Sequence, residues 1–339
     1  MIRIGLAGYG YWGPNLARAV AVMPNARVEM IADMSPPARE RAGRAHPAAR
    51  LTPSIAEMIA DPAVDAVMIA TPVSTHFDLA MAALRAGKHV LVEKPMAETA
   101  DRARMLIEEA ARRRLILMVD HTFVYTGAVQ AIAGLIETGE IGDLYYYDST
   151  RVNLGLFQRD VNVIWDLAVH DFAIMERLIK ARPVAISASA AGFLNGSPEN
   201  MAHLSVYYDD GAMAHLNVNW LAPVKIRQTL IGGSRKMVIY DDMQTSEKVK
   251  IYDRGAEHGT DPYERMVSYR LGEMRAPALS AREALVTETE EFLRCIETGA
   301  TPLTDGASGL RVVEMLEAAS RSTRMRGFPI DLVTLKEAS

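Results

Sequence analysis

The chain has 339 residues, 49% of them apolar and 23% charged, with a net charge of −5. That length exceeds one ordinary hydrophobic core and predicts two domains. The acidic balance, with Arg112-Arg113-Arg114 as the longest basic run, argues against a nucleic-acid surface, and no apolar stretch is long enough to span a bilayer.

In chain order, residues 1–122 alternate strand and helix. Strands are predicted at 2–7, 27–32, 65–70, 89–92 and 115–119, and helices at 13–23, 36–45, 54–60, 75–86 and 99–113. Runs such as Ala66-Val67-Met68-Ile69-Ala70 are apolar on both faces, as parallel strands buried between helix layers must be. This pattern predicts an α/β Rossmann domain with a doubly wound parallel sheet, whose ligand lies beyond the carboxyl ends of the strands.

The first strand runs into Gly8-Tyr-Gly10-Tyr11-Trp12-Gly13, a G-x-G-x-x-G turn followed at once by a helical pattern. Such a turn lets backbone approach a dinucleotide pyrophosphate, and the helix N-terminus offers N–H groups to the anion. Gly8, Gly10, Tyr11, Trp12 and Gly13 are therefore candidate cofactor contacts. Asp33 ends the next strand, 25 residues past Gly8, where a carboxylate accepts ribose hydroxyls and repels a 2′-phosphate. NAD is expected over NADP.

Beyond residue 122 the texture changes. A helix is predicted near 126–138, a long strand at 143–154, a helix at 166–180, and period-two strands at 184–192, 201–209, 212–221, 226–232 and 236–241. In Met213-Ala214-His215-Leu216-Asn217-Val218-Asn219-Trp220 the two faces alternate, and Tyr208-Asp209-Asp210-Gly211 reads as a hairpin turn. Residues 254–280 read as an irregular loop or lid, and helices at 281–298 and 307–325 follow. The expectation is an α+β domain over 123–339 with a largely antiparallel open sheet, serving substrate binding and oligomerisation, its final helices able to pack back on domain 1–122. A mixed sheet face commonly pairs in homodimers or homotetramers.

Cys295 is the only cysteine, so no disulfide forms within the chain, and the first strand begins at once, leaving no room for a signal peptide. The cytoplasm is the expected compartment. The eight His are scattered without metal-ligand spacing, so no metal is expected.

Two further motifs stand at strand ends: Thr71-Pro72-Val-Ser-Thr75-His76, and Ala86-Gly-Lys-His-Val-Leu-Val-Glu93-Lys94-Pro95. With Gly8, Gly10, Gly13 and Asp33, they resemble the glucose–fructose oxidoreductase/inositol dehydrogenase family, Gfo/Idh/MocA, over nearly the whole chain. The resemblance implies that Thr71, Pro72, His76, Glu93 and Lys94 flank the nicotinamide half of NAD, that the bond before Pro95 is cis, and that Lys94 reaches both ribose and substrate. A cation there stabilises alkoxide character as hydride leaves.

Trp165-Asp166-Leu-Ala-Val-His170-Asp171 carries the family's Asp-x-x-x-His. On a helix Asp166 and His170 point the same way. By resemblance His170 is the general base and Asp166 binds a hydroxyl or holds the imidazole, although Lys94 is an alternative proton acceptor. Many relatives have Gly-Gly before the Asp; this chain has Ile164-Trp165. Together with His121-Thr-Phe-Val-Tyr125 and Arg151-Val-Asn153-Leu-Gly155, this resembles the branch containing nucleotide-sugar 3-dehydrogenases. The resemblance makes His121, Tyr125, Arg151, Asn153, Gln158 and Trp165 candidate substrate contacts. His121 and Tyr125 are equally read as core residues, and Arg151 as half of a structural ion pair. The expected activity is NAD-dependent oxidation of a sugar CH–OH. A free polyol such as inositol, or a non-catalytic sugar sensor, is the alternative; the joint presence of Lys94, Asp166 and His170 argues against the sensor.

Overall fold

The computed structural model describes residues 1–155, 161–194, 198–253, 255–258, 267–270 and 272–332. They form two compact units: Met1–Thr126 with Arg282–Glu314, and Gly127–Ala281 with the chain from Met315 onward.

In the first unit, strands β1 (Ile2–Ala7), β2 (Ala26–Ala32), β3 (Arg50–Thr52), β4 (Ala66–Ile69), β5 (His89–Glu93) and β6 (Leu117–Asp120) build one sheet in the order β3-β2-β1-β4-β5-β6. Every pairing is parallel. The crossovers are α1 (Gly13–Ala21), α2 (Pro36–Ala45), α3 (Ile55–Ala60), α4 (His76–Arg85) and α5 (Ala100–Arg113). Ser35, Ser54 and Thr99 cap α2, α3 and α5 by accepting the N–H of Ala38, Glu57 and Arg102. Val67, Ile69, Val90, Val92, Leu84, Leu106 and Val119 are all buried in one core cluster. Strand order reverses between β1 and β4, which places the ligand crevice there. The three-residue β3 is too short to show as a period in the sequence.

In the second unit, α6 (Gly127–Glu137) leads into β7 (Leu144–Leu154), α7 (Val169–Leu178), β8 (Pro183–Ala191), β9 (Met201–Tyr208), β10 (Met213–Asn219), β11 (Leu221–Gly233), β12 (Met237–Asp241) and β13 (Val249–Tyr252). Strands β14 (Gly255–His258), β15 (Val267–Arg270) and β16 (Met274–Arg275) fall within the segment read as irregular, which is a correction: β14 pairs with β15, and β16 with β13. Helices α8 (Ala284–Thr298) and α9 (Gly306–Arg324) and strand β17 (Ile330–Asp331) follow. The nine-stranded sheet runs β16-β13-β12-β11-β7-β10-β9-β8-β17 and is antiparallel except for β7 beside β10.

The alternation in β10 holds: Ala214, Leu216 and Val218 are buried, while Met213, His215, Asn217 and Asn219 point outward. The hairpin before it turns on Gly211 at φ +90°, a conformation glycine adopts without Cβ strain. One expected boundary shifts. Strand β11 begins at Leu221, and its pairing with β7 slips between Leu221 and Ile226. Pro223 lies in that interval and has no N–H for the ladder.

Candidate active site

At the end of β1, Gly8 sits at φ +91°, and a Cβ there would lie 2.6 Å from the Ala70 carbonyl oxygen. A Cβ on Gly13 would lie 2.3 Å from the Gly8 oxygen, so α1 can start this close to the strand only with glycine. A Cβ on Gly10 would meet nothing within 4 Å. That open backbone, with no side chain capping the first turn of α1, fits a pyrophosphate. Tyr11 is 86% exposed beside it, and Trp12 is half-buried.

Asp33 follows β2 and locks this loop. Its Oδ2 accepts the Tyr9 N–H at 2.7 Å and its Oδ1 the Ser35 N–H at 2.7 Å. Each carboxylate oxygen keeps lone-pair capacity for a ribose hydroxyl. The nearby cations are tied to backbone instead: Arg39 donates to the Asp33 and Met34 carbonyls, and Arg41 to the Tyr9 carbonyl. The donor set fits NAD.

Thr71 and Thr75 share a hydroxyl hydrogen bond of 2.7 Å after β4, beside the exposed Pro72. His76 is corrected. The sequence placed it against the cofactor, but its ring is 1% exposed and both nitrogens meet carbonyls, Nδ1 at 2.9 Å from Pro95 O and Nε2 at 2.8 Å from Thr71 O. It braces one loop against the other. Burial lowers its pKa while the two carbonyls raise it. The Lys94–Pro95 bond is cis, and Lys94 is half-buried at the end of β5. The Glu93 carboxylate turns back to accept the Lys94 N–H at 2.8 Å, and burial followed by Asp120 pushes its pKa well up.

After β6, His121 is 2% exposed, and neither ring nitrogen has a hydrogen-bond partner among the described residues. Burial, then the Lys94 charge, pushes its pKa down to about 3, so the imidazole is neutral. For Tyr125 the core alternative is the one observed, at 3% exposure. The turn Thr122–Tyr125 carries it inward, where its hydroxyl lies 3.2 Å from Thr304 Oγ1 and burial raises its pKa.

In the second unit, Asp166 lies in a π-helical turn, Ile164–Ala168, that leads into α7. Asn162 Oδ1 accepts the N–H of Ile164 and of Trp165, each at 3.2 Å, and so starts the turn. Such turns often mark functional sites. Apolar periodicity does not mark one wider turn, and the sequence reading missed it. Asp166 Oδ2 accepts the indole N–H of the fully buried Trp220 at 3.1 Å. His170 is half-buried one turn further on, and Trp165 donates its indole N–H to Ser320 Oγ at 2.8 Å.

Arg151 is not presented to a ligand: the ion-pair alternative is the one observed. It is 5% exposed, its Nε donates to Asp171 Oδ2 at 2.8 Å, and Ser149 donates to Asp171 Oδ1 at 2.8 Å. Asn153 is half-buried at the end of β7, where it and Trp220 both crowd Gly155. Gln158 lies outside the described residues. Trp220 and Asp171 are contributors the sequence reading did not single out. Trp220 was legible only as the last inward position of an alternating strand, and Asp171 as the neighbour of His170. No cluster of His, Cys, Asp or Glu that could hold a metal occurs among the described residues, and no helix there is long and apolar enough to cross a membrane.

Residues 2–121 match the model of an oxidoreductase family with an NAD-binding Rossmann fold, and residues 129–239 match the GFO/IDH/MocA C-terminal domain. Over the full chain, similar proteins include a UDP-N-acetylglucosamine 3-dehydrogenase of Acidithiobacillus ferrooxidans, 30% identical over 92% of this chain and 94% of that one. An inositol 2-dehydrogenase of Rhizobium meliloti is 28% identical over 95% and 96%. The solved structure of the Acidithiobacillus ferrooxidans enzyme superposes with a TM-score of 0.82 at 27% identity, covering 96% of this chain and 98% of its own. The chain therefore belongs to the Gfo/Idh/MocA family of NAD-binding oxidoreductases, dehydrogenases that act on sugar or polyol hydroxyl groups.

Proposed function

We propose that this protein transfers hydride between NAD and the 3-position of a nucleotide-linked sugar. One observation carries the reading: Asp166 is oriented by Trp220 and followed four residues later by His170, so one short segment carries both a carboxylate and an imidazole. Trp165, a bulky residue directly before Asp166 and held by Ser320, supports a substrate other than a small free polyol. The similarity to the UDP-N-acetylglucosamine 3-dehydrogenase supports the same class.

When bound, NAD supplies the hydride acceptor. Lys94 offers an ammonium to the oxygen that gains alkoxide character. His170 takes the hydroxyl proton on its imidazole, whose ordinary pKa of about 6.5 suits a base at neutral pH. Asp166 binds the sugar hydroxyl and fixes its direction. We also assign self-association to the outward face of the nine-stranded sheet, where Tyr146, Met213 and Tyr207 lie beside Asp148, His215 and Ser205. Light scattering should show a dimer or tetramer.

The similarity to the inositol 2-dehydrogenase favours a second reading, oxidation of a free polyol. NADH formation measured with UDP-N-acetylglucosamine and with myo- and scyllo-inositol separates the two. Turnover of the UDP-sugar alone supports the proposal, and turnover of the inositols alone replaces it.

A further inference from the structure

Asp120, at the end of β6, is 2% exposed and gathers donors from two segments. Trp12 Nε1 donates to its Oδ2 at 2.6 Å, and Thr122 Oγ1 to its Oδ1 at 2.5 Å. Trp12 directly precedes α1 inside the glycine-rich loop, so Asp120 ties the pyrophosphate loop to the end of β6. Glu93 is its register partner on β5, and the two carboxyls meet. From α8 a third carboxyl, Glu288, comes against Asp120 and Thr122.

Glu288 is 0% exposed, and neither of its oxygens finds a hydrogen-bond donor among the described residues. An ionised carboxylate only accepts, and burying one without donors is costly. A protonated carboxyl in the same place has an O–H to give, and Asp120 beside it is an acceptor. We propose that Glu288 is a positioning residue for cofactor binding: as a neutral acid it donates a hydrogen bond to Asp120, which holds Trp12 and thereby the pyrophosphate loop.

Burial, followed by the charge of Asp120, holds the Glu288 carboxyl well above the usual carboxylate range, in agreement with that geometry. The groups facing it are Asp120 and Thr122 at the end of β6, Glu93 from β5, and Tyr125 from the turn that follows β6. Three adjacent carboxyls, of which Asp120 and Glu288 are buried and Glu93 half-buried, do not all ionise. The inference requires only that the first unit binds NAD, and is independent of which sugar is oxidised.

Calorimetric titration of the full chain with NAD and with AMP at pH 7 tests it. In Glu288→Gln the amide N–H replaces the acid O–H, and NAD affinity stays within about twofold. In Glu288→Leu no donor remains, and NAD affinity falls about tenfold, the effect of one hydrogen bond. Adenosine, titrated in the same way, reaches Asp33 without a phosphate and binds all three proteins alike, whereas AMP, whose phosphate sits on the loop, follows NAD in part. Unchanged NAD affinity in the Leu variant overturns the proposal, as does an equal loss in the Gln variant or a parallel loss of adenosine binding. Infrared absorption gives an arm that survives failure of the Leu variant to fold. The carboxylic-acid carbonyl signal at pH 7 should lose a component in Glu288→Gln, and a signal identical to the wild type's overturns the proposal.

Discussion

Trp220 donates its indole N–H to Asp166 across 3.1 Å, joining the residue that follows β10 to the π turn before α7. The indole is fully buried, so the bond is shielded from water and fixes the direction of the carboxylate. Trp220→Phe keeps an aromatic ring and removes the donor. A hydrogen bond to a charged group is worth about 1.5–3 kcal/mol. If Asp166 holds a sugar hydroxyl, kcat/KM in Trp220→Phe should fall roughly 10- to 100-fold. Asp166→Asn should fall at least as far. Wild-type kinetics in both variants would remove Asp166 from the site.

Arg151 and Asp171 form a buried ion pair, and Tyr147, Ser149 and Arg151 all converge on the Asp171 carboxylate from β7. Asp171 follows His170 directly, so the pair pins the start of α7 to the sheet. Removing one partner leaves the other charge buried and unpaired, at a cost of about 3–5 kcal/mol. Arg151→Met should lose that much stability in urea unfolding. A substrate-binding arginine on the surface would lose little stability and raise KM instead.

We propose that Asp33 sets the choice of cofactor. Its carboxylate oxygens each hold one backbone N–H, while Arg39 and Arg41 are engaged by carbonyls. The wild type should show a higher kcat/KM with NAD than with NADP, and Asp33→Ala should narrow that gap. A wild-type preference for NADP would overturn the assignment.

The first unit was largely legible in the sequence because its physics is local. Buried parallel strands read as apolar runs, and the demands of the Gly8–Gly13 turn are met within six residues. What the sequence hid depends on contacts between distant segments. His76 lies 19 residues from Pro95, and only the folded sheet brings Pro95 and Thr71 to the two sides of its ring. Tyr125 meets Thr304 across 179 positions. Nothing near Arg151 in the sequence distinguishes an ion pair with Asp171, 20 residues on, from a ligand contact.

His121 predicts how stability responds to acid. Its imidazole is held neutral, with a pKa of about 3 in the folded chain against an ordinary value of 6.5. The unfolded chain therefore binds a proton below 6.5 that the folded chain refuses, and stability is lost as pH falls from 6.5 toward 3. The slope approaches about 1.4 kcal/mol per pH unit. The raised carboxyls Glu93 and Glu288 act with the opposite sign, because the folded chain keeps protons that the unfolded chain releases as pH rises. Their contribution is common to both proteins when His121→Phe is compared with the wild type. Between pH 7.5 and 4.5 the wild type should lose roughly 2–3 kcal/mol more than the variant in urea unfolding. Parallel losses would mean that His121 takes up its proton in the folded state.

Lys94 and His170 should be separable by their pH signatures. Oxidation of a hydroxyl requires removal of its proton as hydride leaves, and either side chain is chemically able to take it. If His170 is the base, kcat/KM rises with pH through a group near neutrality, and His170→Asn abolishes that limb and lowers kcat by roughly 10²- to 10⁴-fold. Lys94→Met then lowers kcat but keeps the limb. It leaves AMP binding intact, because Gly8, Gly10, Gly13 and Asp33 are untouched. If Lys94 is the base instead, the limb survives in His170→Asn and disappears in Lys94→Met. Near-wild-type turnover in both His170→Asn and Lys94→Met would show that neither residue is catalytic.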